Sequence, residues 1–355
     1  MPRTSKKPVG SEGPADAIEE MYARGVTDGL PVVPPTRERV GWMLGGSERA
    51  AGELIALVPP NYGRATVEKI AVNAVMAGCR PEYLPVVIAA VEAISDEAFD
   101  LHGVAATTHF ASPLLIINGP IRKLLDVNSG AGVFGPGWRA NATIGRAVRL
   151  IMVNIGGATP GGISMSTFGH PGRYTYCIGE HEEASPWPPL HVERGFRPDE
   201  SAVSVFPGEA PHGVYDHRSR RGFQILASLA ASLDATWHYK LTGYGDTLIV
   251  LSPEHARTLA EDGWDKPKIR DWLWERLQKP VRALIPDDEC GEGLPERTLA
   301  KFPDPGREET LIPKFRKPEH LIVLVAGGTA GRFSAVIPGW TFPGGSQLVT
   351  RKIAQ

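Results

Sequence analysis

The chain has 355 residues, of which 42% are hydrophobic and 22% are charged. This composition is close to the globular average, which excludes a wholly disordered chain and permits a large core. The 38 basic and 40 acidic side chains leave a formal net charge of −2, so we expect binding neither to nucleic acid nor to a membrane surface.

Residues 1–14 are rich in Lys, Pro, Ser and Gly, with no apolar stretch behind them. This pattern predicts a disordered tail and not a signal peptide. The three cysteines Cys79, Cys177 and Cys290 are too scattered for a disulfide framework or a zinc site. No apolar run is long enough to span a bilayer. We therefore expect a cytoplasmic protein in a reduced compartment.

The first half of the chain alternates helices, short strands and Gly-rich loops. Helices are predicted over residues 15–24, 36–44, 66–78, 83–94 and 141–154, with Thr36, Thr66 and Asn141 as N-caps. Strands are predicted over residues 104–106, 114–117 and 173–178, and Gly-rich loops over 128–137 and 155–170.

The second half is more regular. Strands are predicted over residues 203–206, 247–251 and 320–326, and a charged linker over 290–319. Helices are predicted over 222–233, 252–260 and 266–278, with Ser252 as the N-cap of the second. Strand–turn–helix units favour a parallel or mixed sheet covered by helices. We predict an α/β fold of two associated lobes, residues 15–200 and 201–355, with a ligand site in the cleft between them.

Cys79 lies between the end of one predicted helix and the start of the next. The second helix dipole and Arg80 would favour a thiolate there, which makes Cys79 a candidate nucleophile or redox thiol. The alternative is a buried structural cysteine, because cysteine is one of the residues most often found in protein cores.

A second candidate site is the loop and helix over residues 128–146. Its glycines would let backbone N–H groups approach a carboxylate or phosphate, and the following helix N-terminus and arginines would favour the negative charge. The alternative is an ordinary turn with surface arginines. With two further polar residues, the predicted ligand-binding set is Asn73, Asn118, Gly135, Gly137, Arg139, Asn141, Thr143 and Arg146.

Acid–base residues are dense between His170 and Glu183. In an extended segment Glu180 and Glu182 would share a face, and a partly buried carboxylate pair can transfer protons. We take Glu180 and the turn-borne His170 as catalytic candidates beside Cys79; the alternative for the carboxylates is a solvated acidic turn. A metal site could also be sought at His212, Asp216 and His217. Since adjacent residues such as Asp216 and His217 seldom chelate one ion together, no metal site is predicted there.

Several of these segments together resemble the bacterial UGSC-family (seleno)proteins. The segments are Asp28–Pro35, Ala71–Cys79, Asn141–Arg146, His170–Gly172, Ser185–Trp187, Leu251–Ala256 and Ala326–Gly328, and the resemblance covers most of residues 25–355. It implies a shared fold and shared pockets. The family label implies a catalytic selenocysteine or cysteine in a Sec-Gly-Ser-Cys motif, which this chain lacks; its nearest segments are Ala77–Cys79 and Gly344–Ser346.

These observations predict an enzyme that acts on a small organic anion with a thiol or a carboxylate in the inter-lobe cleft. Two alternatives stay open: a non-catalytic protein that binds a small ligand or a partner, and a metal-dependent hydrolase or lyase using His170, His212 and His217. The pattern identifies no cofactor, substrate or reaction, and it is compatible with a homo-oligomer.

Overall fold

The computed structural model describes residues 16–237, 245–284, 294, 300–301, 306–340 and 346–354, which form an α/β fold. The described α-helices are α1 Ala17–Ala23, α2 Arg37–Leu44, α3 Val67–Ala77, α4 Leu84–Ile94, α5 Leu101–Ala106, α6 Ile121–Leu124, α7 Arg139–Asn154, α8 Leu190–Glu193, α9 Gly222–Ala235, α10 Pro253–Glu261 and α11 Lys266–Arg276. The described strands are β1 Leu54–Val58, β2 Gly63–Thr66, β3 Ser112–Asn118, β4 Cys177–Gly179, β5 Ala202–Gly208, β6 His212–Tyr215, β7 Thr247–Leu251, β8 Gln278–Pro280, β9 Leu311–Pro313, β10 Leu321–Val325, β11 Phe333–Pro338 and β12 Val349–Lys352.

Two four-stranded sheets form the centre of the fold, and both are mixed as the sequence predicts. The first has the strand order β12–β5–β3–β4, with β3 parallel to β4 and antiparallel to β5. The second has the order β10–β7–β11–β6, with β10 parallel to β7 and β11 antiparallel to both of its neighbours. Two antiparallel pairs, β1–β2 and β8–β9, lie outside these sheets.

The two sheets pack face to face. Successive side chains of a strand point to opposite faces, and the core divides in the same way. Leu114 and Ile116 of β3 share an apolar cluster with residues of β7 and β10, whereas Leu115 and Ile117 join the cluster of α3, α4 and α7. Helices α9, α10 and α11 cover the outer face of the second sheet. The layers are therefore helices, sheet, sheet, helices, and apolar side chains fill the space between the sheets.

The chain passes between the two sheets more than once. Strand β5 follows residue 200, yet it lies in the first sheet beside β3, and the C-terminal strand β12 returns to the same sheet. The two-lobe division at residue 200 stays a prediction, but the sheets themselves do not divide there.

Local capping signals act as the sequence predicts. The hydroxyl oxygens of Thr36, Thr66 and Ser252 each accept a hydrogen bond from the backbone N–H three residues later. Gly78 ends α3 with φ of 89°, in the left-handed region that glycine tolerates.

Three local predictions are wrong. Residues 104–106 belong to helix α5, capped by Asp100, because three apolar residues are too few to show a period. Helix α7 begins at Arg139, so Asn141 lies inside it and is not its cap. Of the strand predicted over 173–178, only Cys177 and Ile178 lie in β4.

Some predictions lie wholly or partly outside the described residues. The structure does not describe the predicted tail over 1–14, nor Cys290. It describes only part of the predicted linker over 290–319, and strand β9 lies in that part. In the part of the chain that the structure covers, every helix is too short or too polar to cross a bilayer.

Candidate functional site

Helix α7 carries three arginines whose surroundings differ. The helix lies very close to the segment before β4, because a Cβ at Gly145 would be only 2.5 Å from Thr175 Oγ1 and 2.7 Å from the backbone nitrogen of Tyr176. At the start of the helix, the Nε and Nη2 of Arg139 donate to the carbonyl of Gly78, at 3.1 and 2.9 Å. Arg139 therefore binds the end of α3. It also lines a cavity of about 350 Å³, whose wall includes the acidic residues Glu82 and Asp126.

Arg146 is held by the N-terminal segment. Its Nε and Nη2 donate to the two carboxylate oxygens of Asp28, both at 2.8 Å, and Nη2 also donates to the carbonyl of Pro31 at 2.9 Å. Burial opposes ionisation of Asp28, but the hydrogen bonds and charge of Arg146 outweigh burial and hold the pKa of Asp28 below its ordinary value. This two-pronged ion pair uses the guanidinium that the sequence assigned to an anion.

Arg149, one turn further along α7, has no such partner. Its residue is only 8% exposed, yet it makes no hydrogen bond or ion pair with any described residue. Burial, followed by the positive charge of Arg173, lowers the pKa of Arg149 to about 10, and the negative charge of Asp28 opposes this only in part. A buried charge without a counter-ion is unfavourable.

Arg173 follows the short turn after His170. Its Nη2 donates to Ser164 Oγ at 2.8 Å, whereas its Nη1 is buried without a hydrogen-bond partner among the described residues. Burial lowers the pKa of Arg173 as well. The charge of Arg173 therefore acts on Arg149, and neither guanidinium forms an ion pair with a carboxylate of the described residues.

These two arginines line a cavity of about 520 Å³, which we call the arginine cavity. Its lining residues are Asp28, Arg149, Val153, Pro160, Gly161, Ser164, Ser166, Phe168, Gly169, His170, Pro171, Arg173 and Tyr174. The Oγ of Ser166 is also buried there without a partner in the described structure. Since Arg146 neutralises Asp28, the wall presents two positive charges and unpaired hydrogen-bonding groups.

His170, predicted as a catalytic base, lies in the wall of the arginine cavity. Its Nδ1 accepts a hydrogen bond from the backbone N–H of Gly172 at 3.2 Å, which leaves the proton of the neutral ring on Nε2. This Nε2 is buried near the carbonyl of Gly208 without a hydrogen bond of normal geometry. Burial and the charge of Arg173 lower the pKa of His170, so the ring is neutral at pH 7.

A second cavity, of about 440 Å³, shares His170 and Pro171 with the first; we call it the apolar cavity. Its lining residues are Val133, Phe134, Gly135, Pro136, Asn141, Ala142, His170, Pro171, Gly172, Thr175, Tyr176, Cys177, Ile178, Ala210 and Pro211. Residues of one short segment thus face two sides: Arg173 and Tyr174 the arginine cavity, Thr175 and Tyr176 the apolar one.

The thiol of Cys79 lies outside both cavities. It is 3% exposed and donates to the carbonyl of Thr143 at 3.3 Å. Burial raises the pKa of Cys79 to about 12, the opposite of the activation expected at a helix N-terminus. Cys177 lines the apolar cavity, and burial raises its pKa too. Both surroundings are those of structural cysteines.

Glu180 is fully buried and also lies outside the two cavities. Its Oε2 accepts from the side-chain amide of Asn118 and from the backbone N–H of Leu190, both at 2.7 Å. Its Oε1 lies 3.8 Å from Lys266 Nζ, and burial raises the pKa of Glu180 despite that lysine. The same amide of Asn118 donates to Glu182 at 3.0 Å, so the two carboxylates do come together. They join β3, β4 and α8 within the protein.

The remaining predicted ligand residues mostly contact the chain itself. Asn73 Oδ1 accepts from Asn154 at 2.9 Å and joins α3 to α7. Asn141 binds the backbone of Asn128 and Cys177, and the hydroxyl of Thr143 donates to the carbonyl of Arg139 at 2.8 Å. Gly135 lines the apolar cavity, and Gly137 has φ of 121° beside open space.

The sequence contains one signal for Arg149, a cavity residue that the sequence analysis did not select. Arg149 is the only charged residue in the apolar run 147–153 of a predicted helix, and such a charge on a buried face needs a partner. Nothing comparable marks Arg173 or Ser166.

His217 stacks on Tyr215 with ring centroids 4.4 Å apart, and within the described ranges no group of three or more His, Cys, Asp or Glu residues could hold a metal ion.

Comparison of the chain with protein-family models, with curated proteins and with solved structures gave no match. The class of this protein is defined by its fold and its site alone. It is an α/β protein of two mixed sheets packed face to face, with two buried arginines at a cavity. The resemblance to UGSC-family (seleno)proteins stays a prediction.

Proposed function

We propose that the protein binds a small organic anion, a carboxylate or a phosphate ester, in the arginine cavity. The observation that carries this proposal is Arg149, a buried guanidinium with no partner among the described residues, beside the half-paired Arg173. The ligand class is the one that the sequence favoured. The proposed site uses Arg149, about one helical turn beyond Arg146 along α7.

The electrostatics support an anion over a neutral ligand. Burial lowers the pKa of both guanidinium groups, and the charge of Arg173 lowers that of Arg149 further. An anion between them would offset both the repulsion and the lost hydration. A carboxylate or phosphate also matches the planar fork of an arginine side chain with two parallel hydrogen bonds. The volume of about 520 Å³ is in the range of small-molecule sites.

The test is calorimetric titration with acetate, succinate and inorganic phosphate. Arg149→Met and Arg173→Met remove one guanidinium each, whereas Arg139→Met is the matched control on the same helix, outside this cavity. Hydrogen bonds to charged groups contribute roughly 1.5–3 kcal/mol, so each cavity variant should weaken binding by about tenfold or more.

The control should bind within about twofold of the unaltered protein, because its guanidinium contacts Gly78 and not the cavity. Equal weakening by Arg139→Met and Arg149→Met would contradict the proposed site. Failure of all three anions to bind at millimolar concentration would contradict the proposed function.

A second candidate function, an enzyme acting on the same anion, rests on His170. This imidazole is in the cavity wall beside Arg173, and burial keeps it neutral at pH 7. A bound anion would favour the protonated ring and raise its pKa. Binding between about pH 5 and 7 should then take up protons, measured as a dependence of the binding enthalpy on the ionisation enthalpy of the buffer. His170→Gln should abolish that uptake; uptake that persists in the variant would exclude His170.

A further inference from the structure

We infer that the ligand is amphipathic: its anionic group binds in the arginine cavity and an apolar body lies in the apolar cavity. This inference rests on the proposed function and specifies the substrate class. The two cavities share the wall formed by His170 and Pro171, and Pro171 is exposed at their common rim. A ligand held by its charged end in one cavity can therefore extend over this rim into the other.

The two walls differ in what they leave unpaired. The arginine cavity contains buried polar atoms of Ser166 and Arg173 that have no partner among the described residues. In the apolar cavity, the hydrogen-bonding side chains beyond the shared His170 are engaged by the chain. Thr175 Oγ1 donates to the carbonyl of Ala142 at 2.8 Å, and the hydroxyl of Tyr176 donates to the carbonyl of Glu209 at 2.9 Å.

Asn141 in the same wall is saturated as well. Its Oδ1 accepts from the backbone N–H of Asn128 at 2.8 Å, and its Nδ2 donates to the carbonyls of Asn128 and Cys177, both at 3.0 Å. Most of the surface left to a ligand is carbon, supplied by Phe134, Tyr176 and neighbouring proline and aliphatic side chains. Such a wall favours a hydrocarbon chain or ring over a sugar or a second charge, because beyond the shared His170 its side chains offer a polar group few new hydrogen bonds.

The test is a chain-length series of straight-chain carboxylates from acetate to hexanoate, titrated calorimetrically. Burial of each methylene should raise affinity, by roughly threefold to fourfold when burial is complete. Ala142→Leu and Ala210→Leu place extra carbon in the apolar cavity from two exposed positions. Ala51→Leu is the matched control at an exposed position outside both cavities.

The two filling variants should reduce the gain per methylene to below about twofold while acetate binds as in the unaltered protein, and the control should keep the full gain. Arg149→Met should weaken acetate and hexanoate by the same factor, since both use the same anion site. Acetate binding with no gain along the series would overturn this inference and leave the proposed function standing. A gain that neither filling variant reduces would also overturn it. Absence of binding by every acid in the series, acetate included, would instead contradict the proposed function.

Discussion

Replacement of Arg149 by Met should make the unliganded protein more stable, because the guanidinium is buried and forms no ion pair with a described residue. Burial and Arg173 lower the pKa of Arg149 from 12.5 to about 10. At about 1.4 kcal/mol for each pKa unit, this difference corresponds to an unfavourable contribution of roughly 3 kcal/mol to folding. Met keeps most of the apolar stem and removes the charge.

The sign of this contribution follows from the two pKa values. Below about pH 10 the arginine is charged in the folded and in the unfolded chain, so the unfavourable contribution is present in full at neutral pH. It diminishes only as the pH rises through the folded pKa toward the ordinary value of 12.5. After allowance for lost guanidinium contacts, the expected gain in the free energy of unfolding at pH 7 is about 1–3 kcal/mol.

Urea unfolding at pH 7, in a buffer without small organic anions, measures this gain. When an anion is added at 100 times the dissociation constant of the unaltered protein, that protein should gain about 2.7 kcal/mol, and Arg149→Met, which binds at least tenfold more weakly, should gain about 1.4 kcal/mol or less. The difference between the two proteins should therefore shrink or change sign in saturating anion. A loss of more than about 1 kcal/mol in the unliganded variant would refute the reasoning, because it would mean that Arg149 already has a favourable partner.

The other predictions concern residues that the chain itself satisfies. Arg146→Met, the same substitution one turn away, should lower the free energy of unfolding by about 3–5 kcal/mol, because it leaves Asp28 buried and unpaired; a neutral result in urea unfolding would exclude the ion pair as a structural contact. The pKa of Asp28 in the folded protein lies below 3.8, so its contribution to stability is present above pH 3.8 and is lost as the pH falls through the folded value. The difference in free energy of unfolding between the unaltered protein and Asp28→Asn, measured in urea from pH 6 to pH 2, should therefore shrink at the acid end. A constant difference would contradict this. Cys79, with its pKa raised to about 12, should react with iodoacetamide at pH 8 only after unfolding, as peptide mass spectrometry can show; rapid labelling of the native protein would restore it as a candidate nucleophile.

Local sequence determined the parts of this protein that depend on neighbours along the chain. The caps at Thr36, Thr66 and Ser252 and the glycine end of α3 follow from hydrogen bonds within a few residues, and the buried strand β7 has the predicted bounds. Where the local signal was short, as over residues 104–106, the prediction was wrong. The mixed sheet was predictable from strand–turn–helix units. The pairing of β12 with β5 in the first sheet was not predictable, because all four strands of the second sheet lie between β5 and β12 along the chain.

The role of each arginine was decided by tertiary structure alone. Arg146 and Arg149 belong to one helix and have the same side chain, but Asp28, from a segment more than a hundred residues earlier, forms its hydrogen bonds and ion pair with Arg146 and not with Arg149. Likewise, the thiol of Cys79 lies at a helix start, where the local dipole favours a thiolate, and packing against α7 removes it from water instead. The sequence determines which groups are charged, whereas desolvation and pairing depend on distances that only the packed chain sets, and these decide whether a charge stabilises the fold or is left for a ligand.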